Sequence, residues 1–363
     1  MVGNRPISYG IFTRAQILPD HVFSSPPTPG AAIPDHGMGD RDGRRFPPDH
    51  PPRRMIASGT HMPGVDPAVF ETDLNTALRY ERPDPRVGDY ITEYYVLDSA
   101  GPEVMGAIEW IMPGSANIRL FMDERPVNVT IGNRIYAPTP HVALYGPTSR
   151  ALRVEAFGGV TIGMAVSALG WAQLIDQPAN RFRDRIVPLA DAVPAQLASA
   201  LHKRLGASDM ALEVKGILDA FFVDTLGEPH PDEPAIRIMS ALIVDETVED
   251  IAIIADRVGM SVPRLRQLSL RYFGFPPKRL MRRARFLRSL LRMYAAGDAA
   301  DYSLISRGYF DVSHFLRDSE EFLGTTPRRF MAQQTPYLRQ ILRARTAVMG
   351  EPAQALHPID AAI

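Results

Sequence analysis

The sequence predicts an α+β multidomain chain. An antiparallel β barrel or sandwich with trailing helices comes first, and an all-α body with two helix-turn-helix units follows. Three observations predict this. Between residues 90 and 166, apolar residues alternate at period two, with turn residues every ~8–12 positions. From residue 168 onward the apolar spacing lengthens to that of amphipathic helices. Charge is also segregated: residues 61–256 carry 15 Lys/Arg against 28 Asp/Glu, whereas residues 257–292 carry 11 Lys/Arg and no acid. The net charge of −1 over 363 residues is therefore the sum of an acidic body and one basic stripe.

Residues 1–60 hold 10 Pro and 7 Gly with few apolar clusters, as in FPPDHPPRR. Such a segment buries too little surface to offset its ordering entropy, so a disordered tail is expected. Met55, near its end, is a second candidate start of translation. Residues 61–226 then read as one β-rich domain with C-terminal helices. Ile118, Leu120 and Met122 alternate with polar neighbours, as do Val127, Val129 and Ile131, and Gly132-Asn133 supplies a turn. Leu152, Val154 and Ala156 alternate again before Gly158-Gly159. Leu189, Val193, Leu197, Leu201 and Leu205 recur every fourth residue and predict helix, continued by Leu212, Ile217, Phe221 and Phe222. The proline- and acid-rich GEPHPDEP, residues 227–234, reads as an exposed linker.

Several chemistries are excluded or unsupported. The absence of cysteine removes disulfides, thiolate nucleophiles, cysteine zinc sites and thiol redox sensing. It fits a reducing compartment, and a cytoplasmic location is expected. No run of ~18 apolar residues occurs, so no membrane span is expected. His141 is the single histidine between residues 62 and 201, and no His-x-His or His-Glu-x-x-His pair is present. No nucleophile-elbow glycines flank a serine. No catalytic residue, metal or cofactor is expected. Tyr136, His141 and Tyr145, in or beside β-runs, are the candidate lining of an effector pocket, weighed against ordinary partly buried aromatics. Trp110 and Trp171 read as core.

Residues 235–335 are helical by pattern. Glu249 and Asp250 suit a first helical turn, and Val248, Ile251, Ala252 and Ala255 mark one apolar face. Gly259 can close that helix, Ser261 can cap the next, and Pro263 suits its start. Leu265, Leu268 and Tyr272 face inward, while Arg264, Gln267 and Arg271 face outward with Arg266 at the margin. This is a helix-turn-helix pattern. A second copy follows: residues 303–307 end a helix, Gly308 makes the turn, and residues 313–322 form the second helix. The segments 261–274 and 311–324 match in length, and the amphipathic stretch 278–296 joins them as one long helix. Residues 336–363 are expected as a tail.

SVPRLRQLSLRYFGFPPKRLMRRARFLRSL, followed by GYFDVSHFLRDSEEFLGTTPRRF, resembles the AraC/XylS family of bacterial transcription regulators. Gly308, Tyr309, Asp311, Ser313, His314, Phe315, Arg317, Gly324, Thr326 and Pro327 carry the resemblance, which covers about residues 240–332. The β-rich region is similar in layout to the sensor or dimerisation domains of that family, with a cupin-like fold. The resemblance implies that two recognition helices enter successive major-groove segments of double-stranded DNA. Carried over by position, Pro263, Arg266 and Gln267 in the first unit, and Val312, Ser313, Leu316 and Arg317 in the second, would approach base edges. Arg and Gln suit bidentate contacts to guanine and adenine. Arg264, Arg271, Lys278, Arg279, Arg282 and Arg283 read as phosphate contacts. His314 reads either as a phosphate contact or as a packing and capping residue. The resemblance also implies a small-molecule effector, a homodimer and RNA polymerase as a partner.

The pattern departs from the family at Ser269 and Ser319, where a core Phe is usual, and at Leu270, where a basic residue is common. Glu320 and Glu321 replace basic residues, and Leu304 stands where Ala is typical. The second unit is therefore expected to contribute less phosphate affinity than the first. Two other readings stand beside the regulator. One is a cupin-like binding protein or enzyme targeted to DNA by its C-terminal module; the other is a helical interaction module without DNA.

Overall fold

A computed structural model describes residues 55–359, except 73–74, 124–125, 298–299, 334 and 336. Most of the expected tail, residues 1–54, lies outside the described residues. Its last part is not a tail: Gly59 bridges Arg79, Tyr80 N donates to Gly59 O (3.2 Å), and Ile56 N donates to Asp98 (2.9 Å).

The alternating segments form ten strands: β1 (Thr76–Glu81), β2 (Ile91–Ser99), β3 (Ala107–Ile111), β4 (Ala116–Phe121), β5 (Asn128–Ile131), β6 (Arg134–Tyr136), β7 (Val142–Tyr145), β8 (Leu152–Ala156), β9 (Gly159–Val166) and β10 (Ile186–Pro188). They make a six-stranded sheet in the order β1-β2-β9-β4-β7-β10 and a four-stranded sheet in the order β3-β8-β5-β6. All the pairings are antiparallel. Gly132, at φ 56°, makes the tight turn of the β5–β6 hairpin, a conformation that side chains with a Cβ disfavour. Phe121, Tyr145 and Ile186 from the larger sheet share one apolar cluster with Val129, Ile131 and Val154 from the smaller. The two sheets thus face each other across a common core, as a sandwich does.

Helix α1 (Ala168–Leu174) begins where Ser167 accepts from Gly170 N (3.0 Å). The period-four run from Leu189 is only partly helical. Pro188 and Pro194 interrupt it, so a short 3-10 turn holds Leu189, and α2 (Ala195–Gly206) starts after Pro194. Next come α3 (Val214–Thr225) and α4 (Glu233–Val244). In the expected linker, Asp232 accepts from Tyr272 OH (2.6 Å), and Glu233 accepts from Arg237 and from Tyr90 OH. The carboxy-terminal helices are α5 (Ile251–Val258), α6 (Val262–Tyr272), α7 (Pro277–Ala296), α8 (Val312–Leu323), α9 (Pro327–Met331) and α10 (Leu338–Met349). Helix α5 starts later than the acidic pair suggested, because Asp250 is its cap and accepts from Ala252 N (2.9 Å). The described residues form a single compact unit. The largest apolar cluster runs without a break from Ile118 and Trp171 of the β-rich body to Leu265 and Tyr272 of α6.

The expected tail at 336–363 is instead ordered over its described residues. Helix α10 packs on β1, and a 3-10 turn at Gln354–Leu356 packs on α7.

Candidate nucleic-acid interface and effector cavity

Helix α6 buries Leu265, Leu268 and Tyr272 and leaves Pro263, Arg264, Arg266, Gln267 and Arg271 exposed. The expected reading edge is therefore free at the surface. Gly259, in the left-handed conformation, ends α5 and makes the turn between the two helices. The buried end of α6 is fixed by the Tyr272–Asp232 hydrogen bond, and burial together with Asp232 pushes the Tyr272 pKa up to about 12.

The second unit repeats this plan fifty positions later, with one difference. Asp311 caps α8 by accepting from His314 N (2.7 Å). Val312, Ser313 and Arg317 are exposed and Leu316 is half-buried. The helix expected to end at 303–307 is replaced by one 3-10 turn, Tyr302–Leu304, capped by Asp301. Only a dozen residues separate the end of α7 from Tyr309, and Gly297 and Gly308 bound them, which leaves little chain for a regular helix.

The two family departures at serine have a shared physical reason. Ser269 Oγ donates to Phe275 O (2.5 Å), and Ser319 Oγ donates to Thr325 O (2.7 Å). In both units the serine bridges the left-handed glycine, Gly274 or Gly324, and satisfies a carbonyl beyond the helix end. His314 is half-buried with its ring edge-on to Tyr309, centroids 5.1 Å apart. Phe310, immediately before the α8 cap, is 95% exposed and carried no signal in the sequence.

The phosphate assignments need correction on α7. Arg283 is buried, and its guanidinium donates to Gly114 O (2.9 Å) and Thr148 O (3.0 Å) in the β-rich body. It points away from solvent and cannot meet a phosphate. Burial pushes its pKa down to about 10, opposed by Asp184. Arg282 is held by Asp318 (2.5 Å) and Glu321 (2.7 Å), and Arg279 by Glu321 (2.9 Å). Arg288 and Arg292 share Glu246. Much of the basic stripe is thus neutralised inside the protein. The exposed cations without a carboxylate partner among the described residues are Arg257, Arg264, Arg266, Arg271 and Lys278 in the first unit. In the second they are Arg307, Arg317, Arg328 and Arg329.

A second feature is a cavity of about 200 Å³ between β1–β4 and the C-terminal segment. Leu78, Tyr95, Trp110 and Phe121 line one side, and Ile341 and Leu342 of α10 the other. Of the three expected pocket residues, Tyr136 and His141 are absent from its lining. Tyr136 sits in the inter-sheet cluster, and His141 is exposed beside Phe121 O. Tyr145 is also outside the lining, but its ring carries the guanidinium of Arg119, 4.4 Å from the centroid, and Arg119 does line the cavity. Trp110, expected as core, lines it too. Glu93 pairs with Arg345 (2.6 Å), both side chains being about 5% exposed or less. Glu109 accepts from Tyr337 N (2.8 Å), and burial pushes its pKa up to about 7 against that hydrogen bond. No group of three or more metal-ligating side chains occurs among the described residues.

No protein-family model matches the chain, and no curated protein sequence matches it. Among solved structures, the chain is similar to an apo single-substitution variant of ToxT from Vibrio cholerae, at TM-score 0.36 and 13% identity, over 72% of this chain and 98% of that one. It is similar to unsaturated-fatty-acid-bound wild-type ToxT from the same organism at TM-score 0.37 and 12% identity, over 72% and 96%. The AraC-like transcriptional activator CuxR matches at TM-score 0.22 and 15% identity, over 61% and 88%.

Proposed function

We propose that the chain is a sequence-specific DNA-binding transcription regulator of the AraC type, working in the cytoplasm and controlled by a small molecule at its β-rich body. One observation carries this reading. Two helices fifty positions apart, α6 and α8, share a capping and closing scheme, and each exposes an edge of polar and cationic side chains at its N-terminal turns. Helix α7 joins them and is buried on one side for most of its length, so it sets their separation as a rigid spacer. A helix of this kind, placed in the major groove, reads base edges with its first turns.

On this reading Arg266 and Gln267 contact bases from α6, and Val312, Ser313, Leu316 and Arg317 do so from α8. Arg264, Arg271 and Lys278 contact phosphates, joined by Arg307, Arg328 and Arg329. The first unit dominates, because three of its unpaired cations (Arg264, Arg266 and Arg271) stand on α6 itself, whereas α8 carries Arg317 alone beside the exposed Glu320. The acidic β-rich body repels DNA and leaves the α6–α8 face as the favourable approach.

Selection of bound fragments from the source genome, followed by footprinting, tests the reading. Protection of two successive major-groove segments per chain is expected, with affinity falling steeply as salt rises. Binding that is indifferent to sequence and salt would overturn it. Arg266→Ala is expected to relax sequence preference and cost ~1–3 kcal/mol. A larger loss from Arg317→Ala than from Arg266→Ala would reverse the order of the two units.

A further inference from the structure

We infer that the segment 337–356 is a lid over the cavity, that it links the cavity to α7, and that the cavity takes a small amphipathic monocarboxylate whose head meets Arg119. This rests on the regulator reading only for its consequence, since occupancy of the cavity can be measured without DNA.

The ligand class follows from the charges. The cavity is mostly apolar, with Leu78, Leu97, Trp110, Phe121, Ile341 and Leu342 in its lining, so the body of a ligand is apolar. Four charged side chains also line it. Glu93 and Arg345 neutralise each other at 2.6 Å. Glu109 sits against Tyr337 N and is uncharged for much of its population near neutral pH. Arg119 remains. It lies against the rings of Tyr145 and Tyr95, its Nε donates to Asn117 Oδ1 (3.3 Å), and it has no carboxylate partner among the described residues. A guanidinium is always protonated and presents a planar fork of donors, which a carboxylate fits. One uncompensated positive charge selects a singly charged anion.

The lid follows from where the C-terminal segment attaches. On the cavity side it is tied by Arg345 to Glu93, by Tyr337 N to Glu109, and by Val348 O, which accepts from Arg82 Nε (2.6 Å). Gln354 Nε2 donates to Ala116 O (3.0 Å) at the edge of β4. On the other side Leu338, Ala355 and Leu356 share an apolar cluster with Phe286 and Leu290 of α7 and with Phe330. The same twenty residues therefore close the cavity and touch the helix that spaces α6 from α8. A ligand that changes how this segment sits changes the support of α7, which is a coupling between two sites through one element.

The test uses the full chain and two matched pairs, 4-phenylbutyrate with 4-phenylbutyramide and octanoate with octanol. Trp110 fluorescence reports occupancy, and hydrogen exchange of residues 337–356 reports the lid. We expect the acids to bind at least tenfold more tightly than their neutral partners, Arg119→Gln to remove that preference, and exchange in α10 to slow when an acid is bound. Equal binding of acid and neutral analogue by the unmodified chain would overturn the head-group assignment whether or not Arg119→Gln folds. Exchange in α10 that is unchanged by a bound acid would overturn the lid, and failure of both acids to bind would overturn the site. Loss of DNA binding in a gel shift, with carboxylate binding intact, would sink the regulator reading alone.

Discussion

Glu109 is a carboxyl held where water is scarce, on β3 beneath the start of the C-terminal segment. Its folded pKa of about 7 lies above the ordinary 4.5, so folding favours the protonated form. The sign follows directly. The contribution to stability is complete below about pH 4.5 and is lost as pH rises through about 7. The full difference corresponds to about 3 kcal/mol. Glu109→Gln keeps an acceptor for Tyr337 N and removes the titration. Urea denaturation at intervals from pH 5 to pH 8 should therefore show the variant overtaking the native chain at the alkaline end, with a flatter profile. Tyr294 and Tyr337 feel its charge, and Glu93, Arg119 and Arg345 share the cavity lining with it. A charged Glu109 also places a negative group beside the cavity, so carboxylate affinity should weaken between pH 6 and pH 8 in the native chain and hold level in Glu109→Gln. Phe310 makes the opposite case, an apolar ring left in water beside the first turn of α8. Phe310→Ser should leave the midpoint of unfolding nearly unchanged and weaken DNA binding in a gel shift.

At the scale of elements, helices α6 and α8 were legible because their signals are local. Period, cap, left-handed glycine and following proline all lie within fourteen residues, and both copies repeat them. The partnering of the arginines was not legible, because Asp318 and Glu321 reach α7 from more than thirty positions away. Glu321→Ala breaks ties to both Arg279 and Arg282. It should steepen the dependence of log Kd on log salt by about one unit for each arginine that reaches a phosphate. A slope equal to that of the native chain would show that neither arginine approaches DNA. Asp318 differs, since it is fully buried and also accepts from Tyr309 OH (2.9 Å). Asp318→Ala should cost about 1–3 kcal/mol in urea denaturation, because it leaves the buried Tyr309 hydroxyl without its acceptor while Arg282 keeps Glu321. Helix α10 was legible in principle. Leu338, Ile341, Leu342, Arg345, Val348 and Met349 follow helical spacing, but an arginine on the apolar stripe and a Pro-bounded position beside an expected tail concealed it.

For the whole molecule, composition located two bodies but not their union. Arg283 is the clearest reason. In the sequence it is one cation in a stripe, and in the fold it is the one that turns inward to two backbone carbonyls of the other body. A lone sequence position carries no sign of which way it faces once a second surface covers it. Arg283→Met removes both hydrogen bonds and leaves Gly114 O and Thr148 O buried without those donors. A loss of about 2–4 kcal/mol is expected, with faster hydrogen exchange at the contact between the β-rich body and α7. The cavity escaped the sequence for a related reason, since most of its lining comes from β1–β4 and from residues more than two hundred positions later.

That long separation also sets an order of events during synthesis. The ribosome releases the chain from its N-terminal end, and domains fold as units while it does so. Strands β1–β4 emerge early, with the apolar face that α10 will cover still open to solvent. The segment 337–356 is made after everything it closes over. A nascent chain that already holds α6 and α8 thus still lacks one wall of its cavity. The cavity is therefore closed only after α6, α7 and α8 have been made.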